Sequence, residues 1–473
     1  MSILGTLDCK NKTIFGINKK SNTPLVLFKP ADHNLSYFLV PSKLKNTNRN
    51  YYCVIKFSHN TPKHKFPVGT LLYSIGEVGN DIAEYEYLLH KRQLNRKEPQ
   101  LSKNQMKKIR KKEFWDIVQK DEIKDYKDYR NIKTISIDPK DSTDIDDCLS
   151  YNNGIIGIHI ADASFWIKKF KFQPDFYSTI YMPHRKINML PRILSDNLAS
   201  LLPNQDRLAF TFFYDTKSEK YWFEKTIIRN NKAYSYEEAE KNTNKFKELW
   251  EISKNLGKEY NIEGEWDTHK MVEAFMVFTN NKAAFYFRDN MQQHIYRNHL
   301  EKLHEFDLSK ITNQKFRDFM NIYLSNSATY EQQLKQHYGL NLDYYTHFTS
   351  PIRRMADLLV HQIIKGEHID NLSGFLDKCN HDIKESKRLQ RDIEKFNTIK
   401  NIEKSITANG FIISTFENKI TAYFPKIDFC DTFHIGTHLQ NQDEIQQKIS
   451  ALNPLQEVRF TIGRKGKELV YYF

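Results

Sequence analysis

The chain has 473 residues, more than one hydrophobic core accommodates, so two to four domains are expected, with room for a sizeable catalytic one. Lysine plus arginine outnumber aspartate plus glutamate by 71 to 58, a net charge of +13; this fits a polyanionic partner, although the abundance of Lys and Asn is also what a biased base composition produces. Five scattered cysteines (Cys9, Cys53, Cys148, Cys379 and Cys430) without a CxxC pair argue against a disulfide framework or structural zinc, and no stretch reaches the roughly 18 apolar residues of a membrane span. The start MSILGTLDCKNKTIFG has no leader pattern, so a soluble, cytoplasmic protein is expected.

From Gly5 to about Val78, the runs TIFGI, PLVLFK, SYFLV, YYCVIKF and TLLYSIG alternate or are apolar, and turn signals such as KKSNTP and KPADHN separate them. Five such runs in so short a span predict a small β-barrel of the OB kind over residues 1–80. Residues 81–120 are helical in composition and basic, with Lys91, Arg92, Arg96, Lys97, Lys103, Lys107, Lys108, Arg110, Lys111 and Lys112 close together. A solvated linker and a phosphate-tracking surface explain that run equally well. Residues 121–405 mix strands with long helices and hold the chemistry; after them GFIISTFENKITAYFP and EVRFTIGRKGKELVYYF predict a second small barrel over 406–473. No repeat or low-complexity tract interrupts the order.

The segment TISIDPKDSTDIDDCLSY, followed by Asn153-Gly154 and IIGIHIAD, predicts a hairpin entered through a loop. Asp138 ends one strand; Asp144, Asp146 and Asp147 stand where the loop joins the next, and alternation sends Asp144 and Asp146 to one side and Asp147 to the other. Asp141 adds a fifth carboxylate nearby. Such crowding costs Coulomb energy unless cations neutralise it, and oxygen ligands without a Cys or a His pair select Mg²⁺ or Mn²⁺ over Zn²⁺. A calcium loop counted from Asp138 needs glycine sixth and glutamate twelfth, where this chain has Thr143 and Leu149. An ordinary acidic turn is the competing reading. In YTHFTSPIRRMADLLVHQIIKGE, Ser350 fits an N-cap, Pro351 the first helical position, and a helix to about Lys365 follows. Arg353 then lies in a first turn whose dipole disfavours cations, which fits either a bound phosphate or a salt bridge to a nearby acid.

Together these two segments resemble the catalytic (RNB) domain of the ribonuclease II and ribonuclease R family, which includes the exosome's processive exonuclease subunit. Between them HIADASFWI, YMPHRKINMLPRILSDNLASLLP, KAYSYEEAEK, MVEAFMVFTNNKAA and IYRNH fit in order, so the resemblance covers roughly residues 120 to 400. It implies an α+β fold, in which a mixed α/β RNB-type catalytic domain is flanked by small OB-type β-barrels. It implies that Asp138, Asp144, Asp146 and Asp147 hold Mg²⁺ (or Mn²⁺) and the scissile phosphate, with Asp146 the most sensitive position, and that Arg353 activates the phosphate. Tyr181 and Tyr236 fall at positions that orient or stack the last nucleotides, and Glu273 at the acid that clamps the terminal one. Taken singly, these three residues have a plainer reading as core or surface side chains.

The chain departs from that pattern in three ways. One barrel, not two, fits before the catalytic region; the stretch after the helix near Trp250 is short, leaving Tyr260 without a secure stacking role; and Gln390 and Met355 stand where glutamate and tyrosine are common in the family. The resemblance implies a metal-dependent 3′-to-5′ hydrolytic exoribonuclease, here expected to be a monomer without a nucleotide cofactor, that degrades single-stranded RNA to nucleoside 5′-monophosphates. The alternative is a catalytically inactive RNA-binding protein of the same fold.

Overall fold

A computed structural model describes residues 2–11, 13, 15–43, 48–60, 64–110, 112–301, 306–402, 405–417, 419–434, 447, 449–465 and 468–472; Lys111 of the basic run lies outside them. The chain divides into two compact units: Met1–Asn95, His304–Leu324 and Glu385–Phe473 form one, and Arg96–Leu303 with Ser325–Lys384 form the other. No helix among the described residues is long and apolar enough to cross a membrane.

In the first unit, the strands Ser2–Leu7, Tyr51–His59, Val68–Glu77, Phe38–Pro41 and Thr23–Pro30 pair in that order, and the last returns to the first to close a five-stranded barrel. Leu7, Phe28, Val40, Cys53 and Ile55 fill it. Closure depends on Gly5, which pairs with both Pro30 and Cys53: a Cβ there would stand 2.3 Å from the Lys29 carbonyl oxygen. The run TIFGI, expected as the first strand, contributes only the two-residue strand Ile17–Asn18, because Gly16 turns the backbone to φ +123°. Ile14 of that run lies outside the described residues, and the first strand is instead Ser2–Leu7. A helix, Asp81–Lys91, follows the barrel; the Asn80 side chain caps it by accepting from Ala83 N at 3.1 Å, and buried Glu84 ties it to the barrel by accepting from Tyr52 Oη at 2.9 Å. Residues Ile406–Phe416, Lys419–Phe424, Phe429–His434, Glu457–Lys465 and Glu468–Tyr472 form a five-stranded antiparallel sheet over a core that includes Phe424, Phe433, Phe460 and Tyr471.

The second unit is built on a six-stranded sheet that also closes on itself. Its long strand Tyr221–Ser235 runs antiparallel to Asp206–Asp215 over its first part and parallel to Thr134–Asp138 over its last, with a register shift between Asn230 and Lys232 where the partner changes. Strands Asp147–Asn152 and Ile155–Ala161 complete the ring. Asn153 and Gly154 connect these two with φ of 52° and 94°, the two positive values that a two-residue hairpin turn requires. Ile156, Ile158 and Ile160 on one face and His159 on the other are fully buried. His159 is tolerated there because Ser150 Oγ at 2.8 Å and Thr211 Oγ1 at 2.9 Å satisfy both ring nitrogens, while burial lowers its pKa to about 3 and keeps it neutral. The helix Met355–Ile364 is buried at nine of its ten positions and supplies the centre of this unit.

Removing most of the Ile158 side chain leaves a cavity where the sheet is covered on both faces. Ile158→Ala is expected to destabilise the second unit by about 3 kcal/mol, seen as a lower urea midpoint for the fluorescence change of that unit.

Candidate active site

Strand Thr134–Asp138 delivers Asp138 at its end, in parallel register with Ser235, and the loop 139–146 returns the chain to the next strand at Asp147. Because that strand begins only at Asp147, the alternation expected to separate Asp147 from Asp144 and Asp146 does not govern them, and the charges of Asp138 and Asp146 both act on Asp147. Asp141 stands apart, exposed in a turn with φ 65°.

The two segments singled out in the sequence meet at Asp146. Its carboxylate is 3% exposed; Oδ1 accepts from the Ile352 backbone N–H at 2.9 Å, and Oδ2 accepts from Arg353 Nε at 3.1 Å, 207 residues along the chain. Burial still pushes Asp146 up to about 7, against the pull of Arg353 and the Ile352 N–H. Asp138 is pushed up to about 6, mainly by burial and then by Asp144, and its Oδ2 is buried without a hydrogen-bond partner among the described residues. Burial followed by Asp138 and Asp146 raises Asp147 well above the usual carboxylate range. Asp144 differs, because a cation reaches it: Lys186 Nζ donates to Asp144 Oδ1 at 2.7 Å and lies 3.6 Å from Asp196.

The helix expected from Ser350 begins four residues later than the position after that cap, at Met355, with Arg354 extended before it at φ −135° and ψ 124°. The reason is tertiary: Thr179 N donates to the Arg353 carbonyl and Met355 N to the Tyr177 carbonyl, which draws Arg353 and Arg354 out of the helical path. Arg353 therefore precedes the helix, and the backbone donor of the turn is satisfied by Asp146. The turn is held from behind by buried Asp357, whose Oδ1 accepts from Ser350 N and from Arg354 Nη2, both at 2.8 Å. Ser350 Oγ accepts from Arg353 Nη2 at 2.9 Å and so fixes the guanidinium.

Tyr181 is 47% exposed and lies across a two-stranded pairing from Lys186; burial and then the charge of Asp144 raise its pKa. Tyr236 opens a short helix capped by Ser235 and stacks on His269 with ring centres 3.6 Å apart. Its pKa is raised to about 12 by burial and then by Asp147 and Asp138. Glu273, one helical turn after His269, is exposed, and no contact among those described joins it to the aspartates. Tyr260 is a core residue whose hydroxyl donates to Asn281 Oδ1 at 3.0 Å. Lys186, His269 and Asp357 were not singled out by the sequence. His269 carries a local signal, its spacing of four from Glu273, whereas Lys186 reaches Asp144 only through folding.

A cleft of about 610 Å³ lined by Asp138, Lys140, Asp141, Tyr234, Ser235 and Glu237 opens beside the cluster. Among the described residues no three acidic, histidine or cysteine side chains are disposed as a ready metal site, since Asp144 and Asp146 are turned to Lys186 and Arg353. The donor set nevertheless suits a hard divalent ion: it is all oxygen, and the unpartnered Asp138 oxygen together with the raised carboxyls shows negative charge short of a counter-ion.

The family model for the RNB domain matches residues 126–262 and 245–368, a span that holds every one of these side chains. The chain belongs to the RNB family. That family includes exoribonucleases, and its nucleases are generally divalent-metal dependent. A Chlamydia pneumoniae protein named Ribonuclease R is 29% identical over 318 residues, 50% of this chain and 47% of that one. An Arabidopsis thaliana protein named Inactive exonuclease DIS3L2 is also 29% identical, over 356 residues, 53% of this chain and 34% of that one. The structure of Mycoplasma genitalium RNase R in complex with ribose methylated single-stranded RNA shares the fold, with a TM-score of 0.77 at 16% identity over 100% of this chain and 89% of that one. The chain spans about half the length of the curated relatives it matches.

The raised carboxyls give the RNB site a stability signature. A carboxyl whose folded pKa exceeds its unfolded value binds its proton more tightly when folded, so stability falls as pH rises from the unfolded value near 4 through about 6 to 7. Without divalent cations, thermal unfolding of the second unit is expected at a higher temperature at pH 5 than at pH 7, and Asp147→Asn should raise the pH 7 midpoint; scanning calorimetry in EDTA checks both.

Proposed function

We propose that this chain hydrolyses single-stranded RNA from its 3′ end and releases nucleoside 5′-monophosphates. The observation that carries the reading is the contact of Asp146 with Arg353 and the Ile352 N–H, which joins an acidic cluster to a guanidinium in one partly buried site. Asp138, Asp144, Asp146 and Asp147 would hold up to two divalent cations, Mg²⁺ or Mn²⁺. Bound there, the metal would supply Lewis-acid activation of a water and charge stabilisation for the leaving 3′ oxygen. Arg353 is 42% exposed, and with Nε on Asp146 and Nη2 on Ser350 it keeps Nη1 to donate to the scissile phosphate as charge builds there. Tyr181 and Tyr236 offer ring faces to the terminal bases without regard to sequence, and Glu273 is the acceptor assigned to the terminal ribose 2′-hydroxyl.

The catalytic function is assigned to residues 121–405 and RNA-backbone contacts to the flanking regions 1–80 and 406–473. For the basic segment 81–120, phosphate tracking is proposed from Lys103, Lys107, Arg110 and Lys112, which rim a cleft of about 630 Å³ whose other lining residues are mostly apolar. Five free cysteines fit a reducing, cytoplasmic setting, and the chain is assigned as a monomer.

A second reading, an inactive RNA-binding protein, is favoured by the Arabidopsis relative whose name calls it inactive. Against it stands the retention of all four aspartates and Arg353. Incubation with 5′-labelled single-stranded RNA and Mg²⁺ is expected to give stepwise 3′ shortening that EDTA and Asp146→Asn abolish and that Arg353→Ala slows about 10²- to 10³-fold. RNA that is bound but left intact would establish the second reading, and shortening unaffected by Asp146→Asn would overturn the first. Tyr236→Ala should weaken binding of a short oligoribonucleotide to the Asp146→Asn chain by about 1 to 3 kcal/mol, measured by fluorescence anisotropy.

A further inference from the structure

The four aspartates are not equally available to a metal ion. Both oxygens of Asp146 are engaged, by Arg353 and by the Ile352 N–H. Asp144 Oδ1 is engaged by Lys186 Nζ at 2.7 Å. Lys186 is anchored for this contact: its strand Lys186–Ile187 pairs with Ile180–Tyr181, and Lys186 stands opposite Tyr181 in that ladder. Its side chain is 24% exposed, and its Nζ has Asp196 at 3.6 Å as a second acid. Asp138 and Asp147 remain: Asp138 lines the cleft, and its Oδ2 is buried without a hydrogen-bond partner among the described residues.

We propose that Lys186 stands in for one of two cations at this cluster, so that the chain takes a single divalent ion, held on the Asp138 and Asp147 side. Occupancy supports this: Arg353 already opposes Asp146 and Lys186 already opposes Asp144, which leaves Asp138 and Asp147 as the carboxylates without a cationic partner among the described contacts. A second divalent ion would have to take Asp144 from an ammonium already within hydrogen-bond distance, and would leave that ammonium shielded beside a metal ion of the same sign. The role of Lys186 is to hold Asp144 and fix the charge of the site. It needs no proton transfer.

The inference rests on the metal-dependent reading above but is tested without RNA. The purified full chain is titrated with Mn²⁺ alone, and the free ion is followed by electron paramagnetic resonance. One Mn²⁺ per chain is expected for the unsubstituted protein and for Lys186→Arg, which keeps the charge, and two for Lys186→Met, which frees Asp144. Adding Asp144→Asn to Lys186→Met should return the count to one. Circular dichroism melts verify that each variant is folded, and an unfolded Lys186→Met is replaced by Lys186→Gln. Two Mn²⁺ in the unsubstituted protein, or one in both it and the folded uncharged variant, overturns the role of Lys186 and leaves the exonuclease reading standing. No Mn²⁺ bound to any of the chains overturns both.

Discussion

A carboxylate that is 3% exposed cannot keep its charge in apolar surroundings unless donors replace the water it has lost. Asp146 obtains two, and both come from the turn Ser350–Arg354, more than two hundred residues further along the chain. Much of the second unit follows from that requirement. The turn leaves the helical path because Tyr177 and Thr179 hold its exit, and Asp357 clamps it from below, so that one backbone N–H and one guanidinium edge converge on Asp146. Removing Asp146 would release the loop 139–146 from the turn and leave Arg353 without its buried partner.

The rest of the cluster is held against its own repulsion. Asp138 and Asp147 share a partly buried corner in which neither has a cationic side chain of its own among the contacts described, and their raised pKa values express the cost. A structure optimised for stability alone would place amides there. Acids kept in such a corner, beside an open cleft, are the observation on which the proposed metal-holding role rests.

How much of this was legible in the sequence depended on whether the deciding force was local. The hairpin at Asn153-Gly154 was, because two consecutive positive φ values demand that dipeptide. The start of the buried helix was misplaced because Ser350-Pro351 has the right local chemistry, while pairing with residues 177–179, invisible in that segment, keeps Arg354 extended. The first strand of the barrel was misplaced for the converse reason: TIFGI has apolar residues to bury, but Gly16 breaks it, whereas Ser2–Leu7 earns its place through two long-range pairings that converge on Gly5. Lys186 could not have been chosen from a segment containing several basic residues, since only the folded ladder opposite Tyr181 distinguishes it.

The stack of Tyr236 on His269 bears on the thermodynamics of recognition. With ring centres 3.6 Å apart and planes 11° from parallel, the tyrosine has one face covered and its side-chain torsions set before any ligand arrives. Under the proposed function, a base stacking there would join a column already two rings deep and immobilise only itself. The entropy of ordering that receptor ring is already lost on folding, which is the property the proposed stacking role draws on.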